Sequence, residues 1–155
     1  MSAAPDQPTV PAGPLATRLV SLEAITLLLA ARLLIVAVPF GRWRRLLGQP
    51  VSGGEAGACP APGPDPVDRY LARAVDRAAD RLPLQLKCLP RAMALHWMLG
   101  RRGRVSRFVI GALPTSSRAG SHDLHAWVEV GRVFLIGQTD SLHAPVFSLM
   151  FTTPE

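Results

Sequence analysis

The rhythm of apolar and polar positions divides the chain into four stretches. Residues 1–14 are rich in Ala, Pro and Gly and predict a disordered tail. Residues 15–47 form an apolar segment of helical character, densest over 19–38, and Pro39 should end or kink that helix. A short basic helix is expected after it, through Arg42, Trp43, Arg44, Arg45 and Leu46. Residues 48–66 are a Gly/Pro/Ala run without hydrophobic periodicity and read as a linker. Residues 67–155 carry the remaining elements. Asp65 and Pro66 suit the cap and first position of a helix, and Val67, Tyr70, Leu71, Ala74, Val75, Ala78 and Leu82 line one face of it. Pro83 closes that helix, and a second runs from Cys88 to about Leu99, with Gly100 and Gly103 as stop signals. Three strands are expected, Ser106 to Leu113, Leu124 to Val130 and Arg132 to Ile136, the last two as a hairpin about Gly131-Arg132.

Composition narrows the class. At 155 residues, 48% of them apolar, the chain can bury one core. The formal charge of +6 comes mostly from arginine, scattered over several segments. No aromatic residues interleave with it as in single-stranded nucleic-acid binders, so no nucleic-acid partner is expected. Residues 19–38 are long enough to span a bilayer, but Glu23 and Arg32 interrupt them. A buried helix or helical hairpin is the favoured expectation. Attachment to a membrane surface through this segment, Trp43 and the Arg42–Arg45 cluster is the alternative. Cys59 and Cys88 are too few and too far apart for a disulfide framework. Met1 to Pro14 lacks the basic-then-apolar order of a secretory signal, so a reducing cytoplasmic setting is expected.

The chemistry concentrates on Cys88. Pro90 is tolerated in a first helical turn, where its missing N–H costs nothing, and this places Cys88 at or just before a helix start. The unpaired N–H groups and the positive end of the helix dipole there favour an anion, and the thiolate is the nucleophilic form of cysteine. His125 lies in the strand-like run Leu124-His125-Ala126-Trp127-Val128-Glu129-Val130. Alternation sets His125, Trp127 and Glu129 on one face and Leu124, Ala126, Val128 and Val130 on the other. A cysteine on a helix N-terminus followed by a strand histidine supplies the nucleophile and general base of a Cys-His hydrolase or acyltransferase. The bland alternatives are a small core cysteine and a structural histidine. A third member should orient the imidazole. Asp140 is the first candidate, Gln138 the second, and a solvated turn remains open. Glu129 is expected to meet solvent. Backbone N–H of Cys88, with Gln85 as a weaker thought, could face an oxyanion. Trp127 is expected to pack beside the site, His96 to be surface or core, and His122 and His143 to lie in loops. Cys88, His122, His125 and His143 lack zinc-ligand spacing, so neither metal nor cofactor is expected.

The order Cys-helix, His-strand, acid is that of the transglutaminase-like, papain-related α+β fold. Cys88-Leu89-Pro90-Arg91-Ala92-Met93-Ala94-Leu95, Leu99-Gly100-Arg101-Arg102-Gly103, Phe108-Val109-Ile110-Gly111 and His125-Ala126-Trp127-Val128-Glu129-Val130 together resemble the lasso-peptide biosynthesis B2 proteins. These are similar to the C-terminal domain of the microcin J25-processing protein. The likeness covers about residues 85–150, with a weaker one at Pro39-Phe40-Gly41-Arg42-Trp43 and Leu46-Leu47-Gly48. It implies a cysteine peptidase core over 67–155, preceded by apolar helices, with Cys88, His125 and Asp140 as its triad. It implies removal of the leader from a ribosomally made precursor peptide, after which an asparagine-synthetase-like cyclase closes the ring. Relatives commonly carry an Asn-Asp pair at the strand end, where this chain has Ile136-Gly137-Gln138. Residues 1–47 are too short and apolar for a fused leader-recognition domain, so a stand-alone B1-type recognition protein is implied as partner. An amide-forming acyltransferase and a non-catalytic membrane-surface scaffold are the competing functions.

Overall fold

The computed structural model describes Val10 and residues 13–51, 62–112, 124–137 and 143–151. Helix α1 (Pro14–Ala37) opens on a proline and stops where Val38, forced out of helical conformation by Pro39, turns extended. It buries Val20, Ala24, Leu28 and Ala31, a narrow stripe with two alanines that lets α1 approach its neighbours closely. Leu15, Leu19, Leu22, Leu29, Leu33 and Val36 remain exposed on the other side. The expected burial therefore holds for one stripe only. By length and composition α1 could cross a membrane. Its acid is already engaged, because Glu23 accepts from Arg102 at 2.6 Å.

Helix α2 (Phe40–Trp43) and a 3-10 turn (Arg44–Leu47) follow, burying Trp43 and Leu47. Strand β1 (Gln49–Pro50) corrects the expectation of a plain linker from 48: it pairs along β5 at the edge of the sheet. Gly48 makes this possible, since at φ 105° it passes against the Met150 carbonyl with no room for a Cβ. Helix α3 (Pro66–Arg81) starts on a full capping box. Asp65 accepts from the N–H groups of Val67 (2.8 Å) and Asp68 (3.1 Å), while Asp68 accepts from the Asp65 N–H (3.0 Å). Arg104 bridges both carboxylates.

Helix α4 (Cys88–Gly100) is the central element and packs on α1, α3 and strand β3. Ala92, Met93, Ala94, Leu95, Met98 and Leu99 are buried, so nearly its whole girth is core. Strands β2 (Arg107–Ala112), β3 (Leu124–Val130) and β4 (Val133–Ile136) appear where alternation predicts them, β3 and β4 as the expected hairpin. Strand β5 (Ala144–Met150) was not foreseen. The sheet is antiparallel with order β1-β5-β2-β3-β4. Phe108, Ala126, Val128, Val130, Ile136 and Leu149 join the helices in one hydrophobic cluster, as an α+β fold requires.

The front segment is tied to α4 through backbone carbonyls. Trp97 donates its indole N–H to the Leu46 carbonyl at 2.8 Å, and His96 reaches the Leu47 carbonyl at 2.9 Å. His96 is fully buried, between the two outcomes expected for it the core one. A carbonyl only accepts, so Nε2 carries the proton and Nδ1 accepts from the Ser106 hydroxyl at 2.8 Å.

Candidate active site

Cys88 is the first residue of α4, half-buried, as Pro90 two residues later requires. Lys87 precedes it in extended conformation and its side chain caps nothing, so the first-turn N–H groups of Cys88 and Leu89 are not taken by a capping side chain. The start of α4 is pinned from below. Arg91 donates to the Leu86 carbonyl at 3.0 Å and pairs with Asp76 (3.1 Å) and Asp80 (2.7 Å) on α3. Gln85 is exposed and does not line the cavity at Cys88, in keeping with a plain loop residue.

His125 is on β3, and its Nε2 lies 2.5 Å from the carbonyl oxygen of Gly137. Because that oxygen can only accept, Nε2 is the protonated nitrogen, and the lone pair of Nδ1 is left to take a proton. The Gly137 carbonyl can come this close because its residue has φ 80° and no Cβ, which would sit 2.5 Å from the Ala126 carbonyl oxygen and 3.0 Å from Trp127. This backbone acceptor is one that the side-chain pattern of the sequence does not reveal. Asp140 and Gln138, the two side-chain candidates, lie outside the described residues. So do Cys59 and His122.

Behind the imidazole is a buried polar chain. The Trp127 ring stacks on that of His125 with centroids 6.2 Å apart and planes 24° from parallel. Its indole donates to Glu129 at 2.6 Å, Glu129 lies 3.5 Å from Arg107, and Arg107 donates to Ser148 at 3.0 Å. Glu129 therefore does not meet solvent as expected. It sits opposite Arg107 in the β2–β3 register, and the guanidinium and the indole together cover it. Trp127 packs as predicted, against Gly111, where a Cβ would lie 2.5 Å from its ring. His143 lies outside regular structure as expected, immediately before β5, with its ring centroid 5.2 Å from that of His125.

Cys88 and His125 line a single cavity of about 780 Å³. The front segment contributes Phe40 and Trp43 to it, β2 contributes Ile110, and β5 contributes Val146 and Phe147. Among the described residues no group of three His, Cys, Asp or Glu side chains could hold a metal ion. The available chemistry is thus a thiol at a helix start and an imidazole of fixed tautomer, facing a largely apolar space.

The family model of the transglutaminase-like superfamily matches residues 34–147. The chain belongs to the transglutaminase-like superfamily. This superfamily includes cysteine peptidases and acyltransferases, and the described fold, helices with a five-stranded antiparallel sheet, agrees with it. The match begins inside α1, so the α2 segment that walls the cavity belongs to the transglutaminase-like unit. No curated protein and no solved structure matches the chain.

Proposed function

We propose that the protein is a cysteine peptidase that removes the leader from a ribosomally made lasso-peptide precursor. The observation that carries this reading is the meeting of Cys88 and His125 in one cavity, with His125 Nε2 committed to the Gly137 carbonyl. The Cys88 thiolate attacks the scissile carbonyl and forms a thioester, and the imidazolium returns its proton to the leaving amine. Water then adds to the thioester and regenerates the thiol. Asp140 completes the triad in this proposal, assisting the orientation that the Gly137 carbonyl already imposes. The step from thiol hydrolase to lasso-peptide maturation rests on the sequence resemblance. With it come a stand-alone B1-type protein that delivers the leader, an asparagine-synthetase-like cyclase acting afterwards, and a cytoplasmic setting.

The test is cleavage of precursor peptide by the protein with its recognition partner, read by mass spectrometry. Wild type should release a leader and a core peptide whose masses sum to the precursor plus one water, and Cys88→Ala and His125→Ala should release neither. Cleavage retained by either variant removes the thiol–imidazole mechanism. A product joined to an amine, without added water, would make the protein an acyltransferase. The exposed apolar side of α1 favours one other reading, a non-catalytic scaffold on a membrane surface. That reading requires Cys88→Ala to keep full function and the protein to pellet with anionic vesicles.

A further inference from the structure

The cavity that holds Cys88 and His125 has a strongly one-sided chemistry. Among the described residues its ionisable side chains are the thiol, the imidazole and Lys87, and none of the described lining residues is a carboxylate. The rest is apolar. Phe40 meets Trp43 edge-on with ring centroids 4.8 Å apart and meets Phe147 at 5.6 Å, so the front segment and β5 build one aromatic wall. Three of the lining residues are large, apolar and exposed, Phe40 at 43%, Leu124 at 65% and Val146 at 67%. All three line the same cavity as the thiol, and a volume of about 780 Å³ is ample for a bulky side chain and its flanking backbone.

We infer that this cavity is an acyl-side subsite for a large apolar residue next to the scissile carbonyl. The inference rests on the peptidase reading above and specifies its substrate. The acyl portion stays covalently held through both half-reactions, whereas the amine departs, so the space that contains the thiol belongs to the acyl portion. Leucine or phenylalanine would cover Phe40 and Val146 and displace water from the aromatic wall. A polar or charged side chain would lose its hydration against the apolar lining, and among the described lining residues a lysine or arginine would meet no acid. The basic residue Lys87 adds a penalty against cationic substrates.

A set of N-acetyl aminoacyl chloromethyl ketones bearing Phe, Leu, Ala, Asp or Lys side chains tests this. Each alkylates a thiolate with loss of chloride, and peptide mass spectrometry gives the rate at Cys88. Iodoacetamide, which carries no side chain, measures the reactivity of Cys88 against Cys59 in the same protein. The Phe and Leu reagents should outpace the Ala reagent by at least about tenfold, the order expected for missing methylenes in an apolar pocket. Phe40→Ala should reduce that preference, and Val146→Asp, placed at the exposed rim, should reduce it independently. If Cys88 outreacts Cys59 toward iodoacetamide but takes all five ketones at similar rates, the subsite is wrong and the peptidase reading stands. If Cys88 reacts no faster than Cys59 with iodoacetamide, the peptidase reading falls, and the subsite with it.

Discussion

Acidification should loosen the front of the molecule through one buried imidazole. His96 is fully enclosed, between the Phe151 ring at 4.4 Å, the Phe108 ring at 5.8 Å, the Leu47 carbonyl and the Ser106 hydroxyl. Burial pushes its pKa from 6.5 down to about 4, against the pull of the Leu47 carbonyl. In the unfolded chain the same imidazole takes a proton as the pH falls through 6.5, while in the folded protein it stays neutral until about 4. Between those two values the unfolded state binds more protons, so stability falls as pH falls and is recovered as pH rises. Above 6.5 this residue contributes no slope. At 1.36 kcal/mol per pH unit, the interval amounts to about 3 kcal/mol, a large fraction of the stability of a small domain. The assay is urea denaturation from pH 7 to pH 4, with wild type beside His96→Gln, whose amide can still donate toward Leu47 but does not titrate. The wild-type profile should be steeper by up to one proton over that range, and the His96 ring signals should not move in NMR spectra of the folded protein until about pH 4. Equal slopes, or a folded His96 that titrates near 6.5, would refute the reasoning. The loss should also reach the cavity, because the Leu47 bond helps hold the segment that carries Phe40 and Trp43.

Two further outcomes follow from the site. Glu129→Ala leaves the Arg107 guanidinium buried without a counter-charge and the Trp127 indole without its acceptor. It should cost about 3 kcal/mol or more by denaturation, while Glu129→Gln should retain the indole bond and cost less. Asp140→Ala should slow precursor cleavage less than His125→Ala, because the Gly137 carbonyl already holds the imidazole tautomer. Equal losses in the two variants would make the aspartate indispensable.

Much of this arrangement was legible in the residues. Asp65-Pro66 announced α3, and the structure shows the cap complete with Asp68 as its reciprocal partner. Pro90 placed Cys88 at the head of α4, and alternation separated His125, Trp127 and Glu129 from Ala126, Val128 and Val130. What escaped was non-local. Strand β5 has Pro145 near its start and no clean alternation, and its pairing with β2 shifts register between Ile110 and Gly111 beside that proline. Strand β1 is two residues long, too short for any period. Glu129 looked solvated because a single strand does not show that Arg107 lies across from it. The aromatic wall of Phe40 and Trp43 leaves no local signal, because Phe147 and most of the other lining residues are far along the chain. The acceptor at His125 is a backbone carbonyl, which no residue pattern can announce.

The attachment of the front segment has an engineering consequence. Among the described residues, the contacts that seat it include the Leu46 and Leu47 carbonyls on α4, the β1–β5 pairing, the Glu23–Arg102 pair and the stripe of α1 against the core. These contacts join the two parts directly across the fold. The chain is, in effect, two interlocking fragments written as one. The first supplies the aromatic wall, and the second supplies thiol and imidazole. Such an arrangement suits reconstitution from separately made halves, with the reactive centre switched on by assembly.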